Sequence, residues 1–164
     1  MTMNLLFDEK FLKVATDLFK AAKREVFVIV YLMTVPSERK PGKESKLYEE
    51  LLEAKRRGLD CRIILNYTVP VDKASRQNMA AGRWLSHYGI KCRIIARNRT
   101  VHAKMIIVDG VTLIMGSHNW SRRAIDRNVE ASVKISDMGV VKRARENFME
   151  LWSDAVDLKG KGEN

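Results

Sequence analysis

An apolar run near the N-terminus constrains the fold more than any other feature. Residues 26–33 read Val-Phe-Val-Ile-Val-Tyr-Leu-Met, so odd and even positions are apolar alike. A strand formed there would bury both of its faces, as central strands of mostly parallel sheets do. The run is shorter than the roughly 18 apolar residues that a membrane span needs. It therefore predicts a central strand covered on both sides, and we expect no stable membrane insertion.

Helical and strand patterns alternate around this run. Apolar residues at helical spacing predict helices over 7–24, 44–57, 72–88 and 138–155, with Asp8 capping the first. Further strands are predicted over 61–67, 91–96, 101–108, 111–115 and 128–135. The predicted fold class is α/β, with a mixed, largely parallel sheet flanked by helices on both faces. We expect one domain over residues 1–158 and a flexible Gly/Lys-rich tail over 159–164.

Charge and cysteine usage narrow the function classes. The chain carries 30 Lys and Arg against 20 Asp and Glu, a net charge of +10, which favours a polyanionic partner such as nucleic acid or anionic lipid. The two cysteines, Cys61 and Cys92, lie in apolar runs and are expected to be buried free thiols in a reducing compartment. The charged N-terminus is not typical of a secretory signal, so the expected location is cytoplasmic.

A cluster of polar residues follows the predicted central sheet. His102 and Lys104 are two residues apart on a predicted strand, so they would share one face, and Ser117 and Asn119 are spaced in the same way. The turn signal Asp-Gly between the two segments would fold these pairs together. His118, between Ser117 and Asn119, would point away into the packing. Glu130 lies on the next predicted strand, within reach of a hydrogen bond from His102.

These side chains suit chemistry on a phosphodiester. A neutral imidazole can attack phosphorus, an ammonium and neutral donors can hold phosphoryl oxygens, and a carboxylate can fix the imidazole tautomer. No metal and no cofactor are required. A zinc site is not favoured, because both cysteines lie on remote strands without ligand spacing.

The spacing His-x-Lys, four residues, Asp, then Gly-Ser-x-Asn resembles the HKD signature of the phospholipase D superfamily, and it looks most like that of the superfamily's short, single-motif nucleases. The resemblance implies that His102 is a nucleophile that forms a phosphohistidine. It further implies that Lys104 and Asn119 bind phosphate with help from Ser117, and that Glu130 orients His102. Asp109 and Gly116 are then structural positions of the motif.

A single motif implies two chains. The leaving group needs an acid as well as a nucleophile, and the chain offers no second suitable histidine. We therefore expect a homodimer whose two copies of His102 meet across a twofold axis, and a bell-shaped pH profile of the rate. By the resemblance, single-motif members pair in this way.

Three functions remain open for such a site. A nuclease acting on DNA or RNA is favoured by basic residues that bracket the motif and would contact nucleic acid from loops: Arg97, Arg99, Arg122, Arg123 and Arg127. Trp120 would either line the groove or anchor the connection. A phospholipid hydrolase or phosphatidyl transferase would use the same catalytic residues, but no convincing exposed amphipathic segment supports it. The third reading is a nucleic-acid-binding dimer that does not cleave, and the intact His102 argues against it.

Overall fold

The computed structural model describes residues 2–95 and 99–158, and in this part of the chain eight strands form one sheet between helices. The elements are β1 Met3–Phe7, α1 Glu9–Ala21, β2 Glu25–Val30, α2 Ser45–Arg56, β3 Asp60–Leu65, α3 Lys73–His87, β4 Lys91–Ile94, β5 Met105–Val108, β6 Thr112–Gly116, α4 Arg122–Asp126, β7 Ala131–Ile135, α5 Met138–Asp154 and β8 Val156–Asp157. Arg97 and the predicted tail lie outside the described residues.

The strand order is β1-β7-β6-β5-β2-β3-β4-β8. The predicted α/β class with a mixed sheet in a single domain is confirmed, but the sheet is not largely parallel. Only the β2–β3 and β3–β4 pairs are parallel, and the other five pairs are antiparallel. The hairpin of β5 and β6 explains part of this, since a three-residue turn cannot make the long crossover that parallel neighbours require. The edge strands β1 and β8 were not predicted.

The core confirms the central strand. Every residue of β2 is buried, with Val26, Val28 and Val30 facing one apolar cluster and Phe27 and Ile29 facing another. Helices α1, α2 and α3 supply the first cluster and α5 supplies the second, so helices cover both faces of the sheet as predicted. Burial of these side chains is the main favourable contribution to folding.

The predicted strands are too long at one edge of the sheet. β5 begins at Met105 and β7 begins at Ala131, so His102, Lys104 and Glu130 precede their strands instead of lying on them. The parallel strands β2, β3 and β4 end at this same edge. The ends of β1 and β6 lie there too, so the loops at these strand ends converge on one edge. Open sheets that contain parallel strands bind their ligands at such an edge.

The two cysteines are buried and free, as predicted. Burial disfavours the thiolate, and it raises the pKa of Cys61 to about 11 and that of Cys92 to about 12. Both thiols are therefore chemically inert at neutral pH.

Asp109 lies at the opposite end of β5, in the turn to β6. Its carboxylate accepts hydrogen bonds from the backbone N–H groups of Lys23 and Arg24, both at 2.8 Å, and of Glu25 at 3.1 Å. Partial burial raises the pKa of Asp109, but these hydrogen bonds outweigh it and the net pKa is lowered. Asp109 thus ties the hairpin to the start of β2, remote from the polar cluster.

Gly116 is required by close packing of β6 on β7. A Cβ atom at this position would lie 2.3 Å from the carbonyl oxygen of Ala131 and 2.4 Å from Cα of Ser132. Because both neighbours are backbone atoms, Gly116→Ala is expected to destabilise the fold by about 2 kcal/mol, which corresponds to a fall in Tm of roughly 4–8 °C. Thermal unfolding followed by circular dichroism measures this.

The matched control is Gly139→Ala in the first turn of α5. There the new Cβ would meet only the side chain of Asp137, at 3.3 Å, and the change in stability is expected to stay within about 0.5 kcal/mol. Equal melting temperatures for the two variants would contradict the steric argument.

Candidate active site

His102 and Lys104 meet in front of the sheet edge although neither lies on a strand. The Lys104 Nζ atom is 3.3 Å from each ring nitrogen of His102 and donates a 2.7 Å hydrogen bond to the His102 carbonyl oxygen. The two side chains meet as expected, but strand alternation is not the cause, because residues 101–104 are irregular. The two side chains come together because the lysine folds back over the backbone of His102.

Tyr31, just after β2, completes this part of the site. Its ring centroid lies 4.8 Å from that of His102, and the Lys104 Nζ atom lies 5.2 Å from the Tyr31 centroid. Burial disfavours the ammonium and lowers the pKa of Lys104, while the negative charge of Glu130 acts in the opposite direction. Sequence reasoning missed Tyr31, because it belonged to a run that was assigned to the core.

Glu130 does not accept a hydrogen bond from His102, contrary to expectation. Its carboxylate accepts instead from the Ser117 hydroxyl and, at 2.9 Å, from the Asn128 side-chain amide. Ser117 in turn accepts from the backbone N–H of Ala131 at 3.1 Å. The reason is positional: Glu130 precedes β7 and turns toward the end of β6, where Ser117 begins the next loop. Asn128 was not identified as a site residue from the sequence.

Asp8 holds the backbone of Glu130 from the other side. The Asp8 N–H donates to the Glu130 carbonyl at 3.2 Å, and the Asp8 carboxylate accepts from the Glu130 N–H at 3.0 Å. The Asp8 side chain therefore does not cap α1 as expected. Its φ of 45° lies in the left-handed region that non-glycine residues rarely adopt, and such strain is common at functional sites.

Asn119 bridges the loop after β6 to the loop after β2. Its side-chain carbonyl accepts a 3.1 Å hydrogen bond from the backbone N–H of Leu32. Within the described part of the chain its amide nitrogen makes no hydrogen bond, so it remains a donor for substrate oxygens. The structure thus brings His102, Lys104, Ser117, Asn119 and Glu130 to one edge, with Ser117 joining Glu130 and Lys104 joining His102.

Trp120 and His118 lie beneath the site. Trp120 is 1% exposed and packs against Tyr48 and Phe19, so it anchors the connection, and its assignment as a nucleic-acid contact was wrong. His118 is 2% exposed, stacks on Phe11 with ring centroids 4.0 Å apart, and its Nδ1 atom lies 2.8 Å from the Ser132 hydroxyl oxygen. It points away from the site as expected. Burial lowers the pKa of His118, which keeps the ring neutral.

A basic groove extends from Tyr31 along the same edge. Its cavity of about 670 Å³ is lined by residues that include Tyr31, Thr34, Lys73, Gln77, Arg122 and Arg123. A neighbouring hollow of about 530 Å³ is lined by Arg122, Arg123, Arg127 and Asn128. Arg122 and Arg123 lie on α4, where a polar loop was expected, and Arg99 is exposed near His102 in sequence. Arg97 cannot be placed, since it lies outside the described residues.

Two absences concern the part of the chain that the structure describes, residues 2–95 and 99–158. Neither a cluster of three or more His, Cys, Asp or Glu side chains placed to hold a metal ion nor a helix of sufficient length and apolarity to cross a bilayer occurs there.

The arrangement supplies the chemical groups that a nucleophilic displacement at phosphorus requires. An exposed imidazole stands beside an ammonium, and amide and hydroxyl donors are held at the same edge. The ammonium makes no salt bridge with a carboxylate among the described residues, so its charge is available to an anion.

Comparison with known proteins agrees with this chemistry. The family model described as "Cardiolipin synthase, PLD-like domain" matches residues 15–152. A mitochondrial cardiolipin hydrolase of Chlamydomonas reinhardtii is 26% identical over 136 residues, which cover 83% of this chain and 55% of that protein. The chain thus spans about half the length of this relative.

Two solved structures share the fold. Nuc from Salmonella typhimurium, a phospholipase D family member, superposes with a TM-score of 0.78 at 24% identity, covering 95% of this chain and 97% of that chain. NucT from Helicobacter pylori superposes with a TM-score of 0.74 at 19% identity, covering 95% and 98%. Since the family model spans most of the sequence and includes every residue of the site except Asp8, the chain belongs to the PLD-like domain family of the phospholipase D superfamily of phosphodiesterases.

Proposed function

We propose that this chain is a nuclease that hydrolyses DNA or RNA through a phosphohistidine, without a metal ion, in a homodimeric active site. The observation that carries the proposal is the exposed imidazole of His102 beside the unpaired ammonium of Lys104, at the mouth of a groove lined by arginines. Phosphate contacts from such cations supply most of the affinity for a nucleic-acid backbone.

The reaction proceeds in two displacements. A ring nitrogen of His102 attacks phosphorus, the bond from phosphorus to the leaving oxygen breaks, and that oxygen takes a proton from the protonated His102 of the second subunit. Water then attacks the phosphohistidine, its proton returns to the second histidine, and the phosphorus–nitrogen bond breaks. Lys104 and Asn119 hold the phosphoryl oxygens throughout.

Ser117 and Glu130 act as a pair in this scheme. The hydrogen bond between them fixes the carboxylate near Lys104, where its charge helps to keep the ammonium protonated. The resemblance assigns Glu130 to orient His102, and that role requires the carboxylate to leave Ser117 when substrate binds.

A row of apolar residues on the sheet, part of it exposed, supports the proposal that a second subunit binds. Leu5, Val133, Met115 and Met105 stand opposite one another across β1, β7, β6 and β5. The adjacent row of Ile135, Leu113 and Ile107 is buried under α5. In the outer row, Val133 and Met105 are partly buried against the same cluster, whereas Leu5 is 57% and Met115 is 42% exposed. An apolar surface of this kind marks an interaction site, and a second copy docked there would lie beside the active-site edge.

The alternative is a phospholipid hydrolase or phosphatidyl transferase. It is supported by the name of the cardiolipin hydrolase relative and by an apolar loop at the same edge, where Val69 is 68% and Val71 is 43% exposed. We favour nucleic acid because the cavity beside Tyr31, whose ring packs against that of His102, includes Lys73, Arg122 and Arg123 in its lining, and the neighbouring hollow adds Arg127. A nucleic-acid-binding dimer without cleavage would leave the His102–Lys104 pair without a use.

The substrate class is decided by incubating the protein with plasmid, single-stranded DNA, RNA and cardiolipin vesicles in excess chelator. We expect cleavage of nucleic acid and a loss of at least about 10³-fold in His102→Ala, because the nucleophile is removed. His87→Ala, at an exposed histidine of α3, is the control and should keep full activity. Hydrolysis of vesicles alone would favour the lipid alternative, and dependence on added Mg²⁺ would refute the mechanism.

The lowered pKa of Lys104 predicts a pH dependence of substrate binding. The ammonium loses its proton as pH rises through a pKa below the ordinary 10.5, so KM should begin to rise at a lower pH than for an ordinary lysine. Arginine remains charged in this range, so the ratio of wild-type KM to that of Lys104→Arg should increase with pH. Steady-state kinetics on one oligonucleotide measure the ratio. A ratio that stays constant up to pH 10.5 would contradict this role of Lys104.

Leu5→Glu tests the dimer surface. A charge on the exposed row should leave the monomer folded but weaken association by at least about tenfold, and activity should fall with it. Val111→Glu, at an equally exposed valine in the β5–β6 turn, serves as the control and should remain dimeric. Sedimentation velocity gives the oligomeric state. A fully active wild-type monomer, or a Leu5→Glu protein that stays dimeric, would disprove this interface.

A further inference from the structure

A pair of buried asparagines lies behind the active-site edge. Asn66 follows β3 and Asn78 lies in the middle of α3, and both are 0% exposed. The Asn78 amide nitrogen donates to the carbonyl oxygens of Tyr31 at 2.8 Å and Asn66 at 2.9 Å, and its side-chain carbonyl accepts from the N–H of Met33 at 2.8 Å. Asn78 therefore fastens the ends of two parallel strands to one helix.

Asn66 extends this network to the residue before His102. Its side-chain carbonyl accepts a 2.9 Å hydrogen bond from the backbone N–H of Val101, which is itself buried. On the other side of His102, the carbonyl oxygen of Lys104 accepts from the N–H of Gly116 at 3.2 Å. Since residues 101–104 lack strand pairing, these two hydrogen bonds, together with the one from the Lys104 ammonium to the His102 carbonyl oxygen, restrain the backbone around His102.

The chemistry of Asn66 argues for more than packing. A residue that only fills space there could be apolar, and burying an amide is unfavourable unless its groups find partners. The Asn66 amide nitrogen has none within the described residues. Its carbonyl, which holds Val101, is the group that the fold uses.

We propose that Asn66 and Asn78 are positioning residues, which set the place of the nucleophile His102 and of the neighbouring Tyr31. The inference rests on the proposed function, because it takes His102 as the nucleophile. A displacement of about 1 Å at a reacting atom can cost on the order of 10²-fold in rate. Asn66 acts on His102 through Val101, and Asn78 acts through Asn66 and through the backbone of Tyr31.

Two aspartate variants form a matched test. Asn66→Asp keeps the oxygen that accepts from Val101 and replaces an amide nitrogen without a partner by a buried carboxyl oxygen, whose charge burial disfavours. Asn78→Asp makes the same chemical change at an equally buried position, but it removes the donor of two hydrogen bonds. With bis(p-nitrophenyl) phosphate as the probe, kcat of Asn78→Asp should fall at least about tenfold below that of Asn66→Asp, and KM should stay within about threefold.

Asn66→Ala removes the acceptor altogether, and kcat should fall by roughly 30–100-fold. Leu51→Ala, a core truncation in α2, controls for stability and should keep kcat at temperatures well below its Tm. If an aspartate variant does not fold, the comparison of Asn66→Ala with Leu51→Ala still tests the inference. The inference is overturned if Asn66→Ala stays within twofold of wild type, if Asn66→Asp is as impaired as Asn66→Ala, or if Leu51→Ala loses as much kcat.

A spectroscopic readout separates this inference from the proposed function. In ¹⁵N-labelled protein, Asn66→Ala should shift the His102 ring signals and abolish hydrogen-exchange protection of the Val101 amide. If His102→Ala kept activity, the proposed nucleophile would be wrong, and the ring signals would still report on positioning. Unchanged signals in Asn66→Ala would overturn the inference whatever the activity.

Discussion

The active-site edge depends on backbone hydrogen bonds that side chains, not strands, provide. The nucleophile candidate and its neighbours lie in loops, where no strand ladder satisfies the N–H groups. Three asparagine side chains accept hydrogen bonds from such N–H groups: Asn66 from Val101, Asn78 from Met33 and Asn119 from Leu32. Asparagine suits this task because its short side chain carries an acceptor close to the backbone and has no charge to desolvate. These loops therefore have some of their backbone N–H groups satisfied without strand pairing.

Some cations outside the site pair with carboxylates within the fold, as Arg145 does with Glu25 and Arg93 does with Asp157. At the site, the acid Glu130 is satisfied by neutral donors from Ser117 and Asn128. The ammonium of Lys104 is thus available to an anion, as the proposed reaction at a phosphodiester requires.

The sequence predicted the helices and the central strand well and the site loops poorly. Helices α2, α3 and α5 begin and end within one residue of the predicted positions, because amphipathic spacing and glycine stops are local signals. The residues brought together at the edge were identified from motif spacing alone. The partners of Glu130 and the roles of Asn66, Asn78 and Tyr31 were missed, since a hydrogen bond between residues 35 apart, such as Asn66 to Val101, leaves no periodic trace.

The exposed apolar row and the active-site residues are close neighbours in the sequence. Met105 directly follows Lys104, and Met115 lies two residues before Ser117, so the proposed partner-facing residues lie next to site residues in the sequence. Helix α5 covers the row that lies farther from the site and stops short of this one. A longer covering helix would bury more apolar area, but it would also close the approach to the site edge. The proposed second copy of the chain would account both for a single candidate nucleophile, His102, and for the partly exposed apolar row.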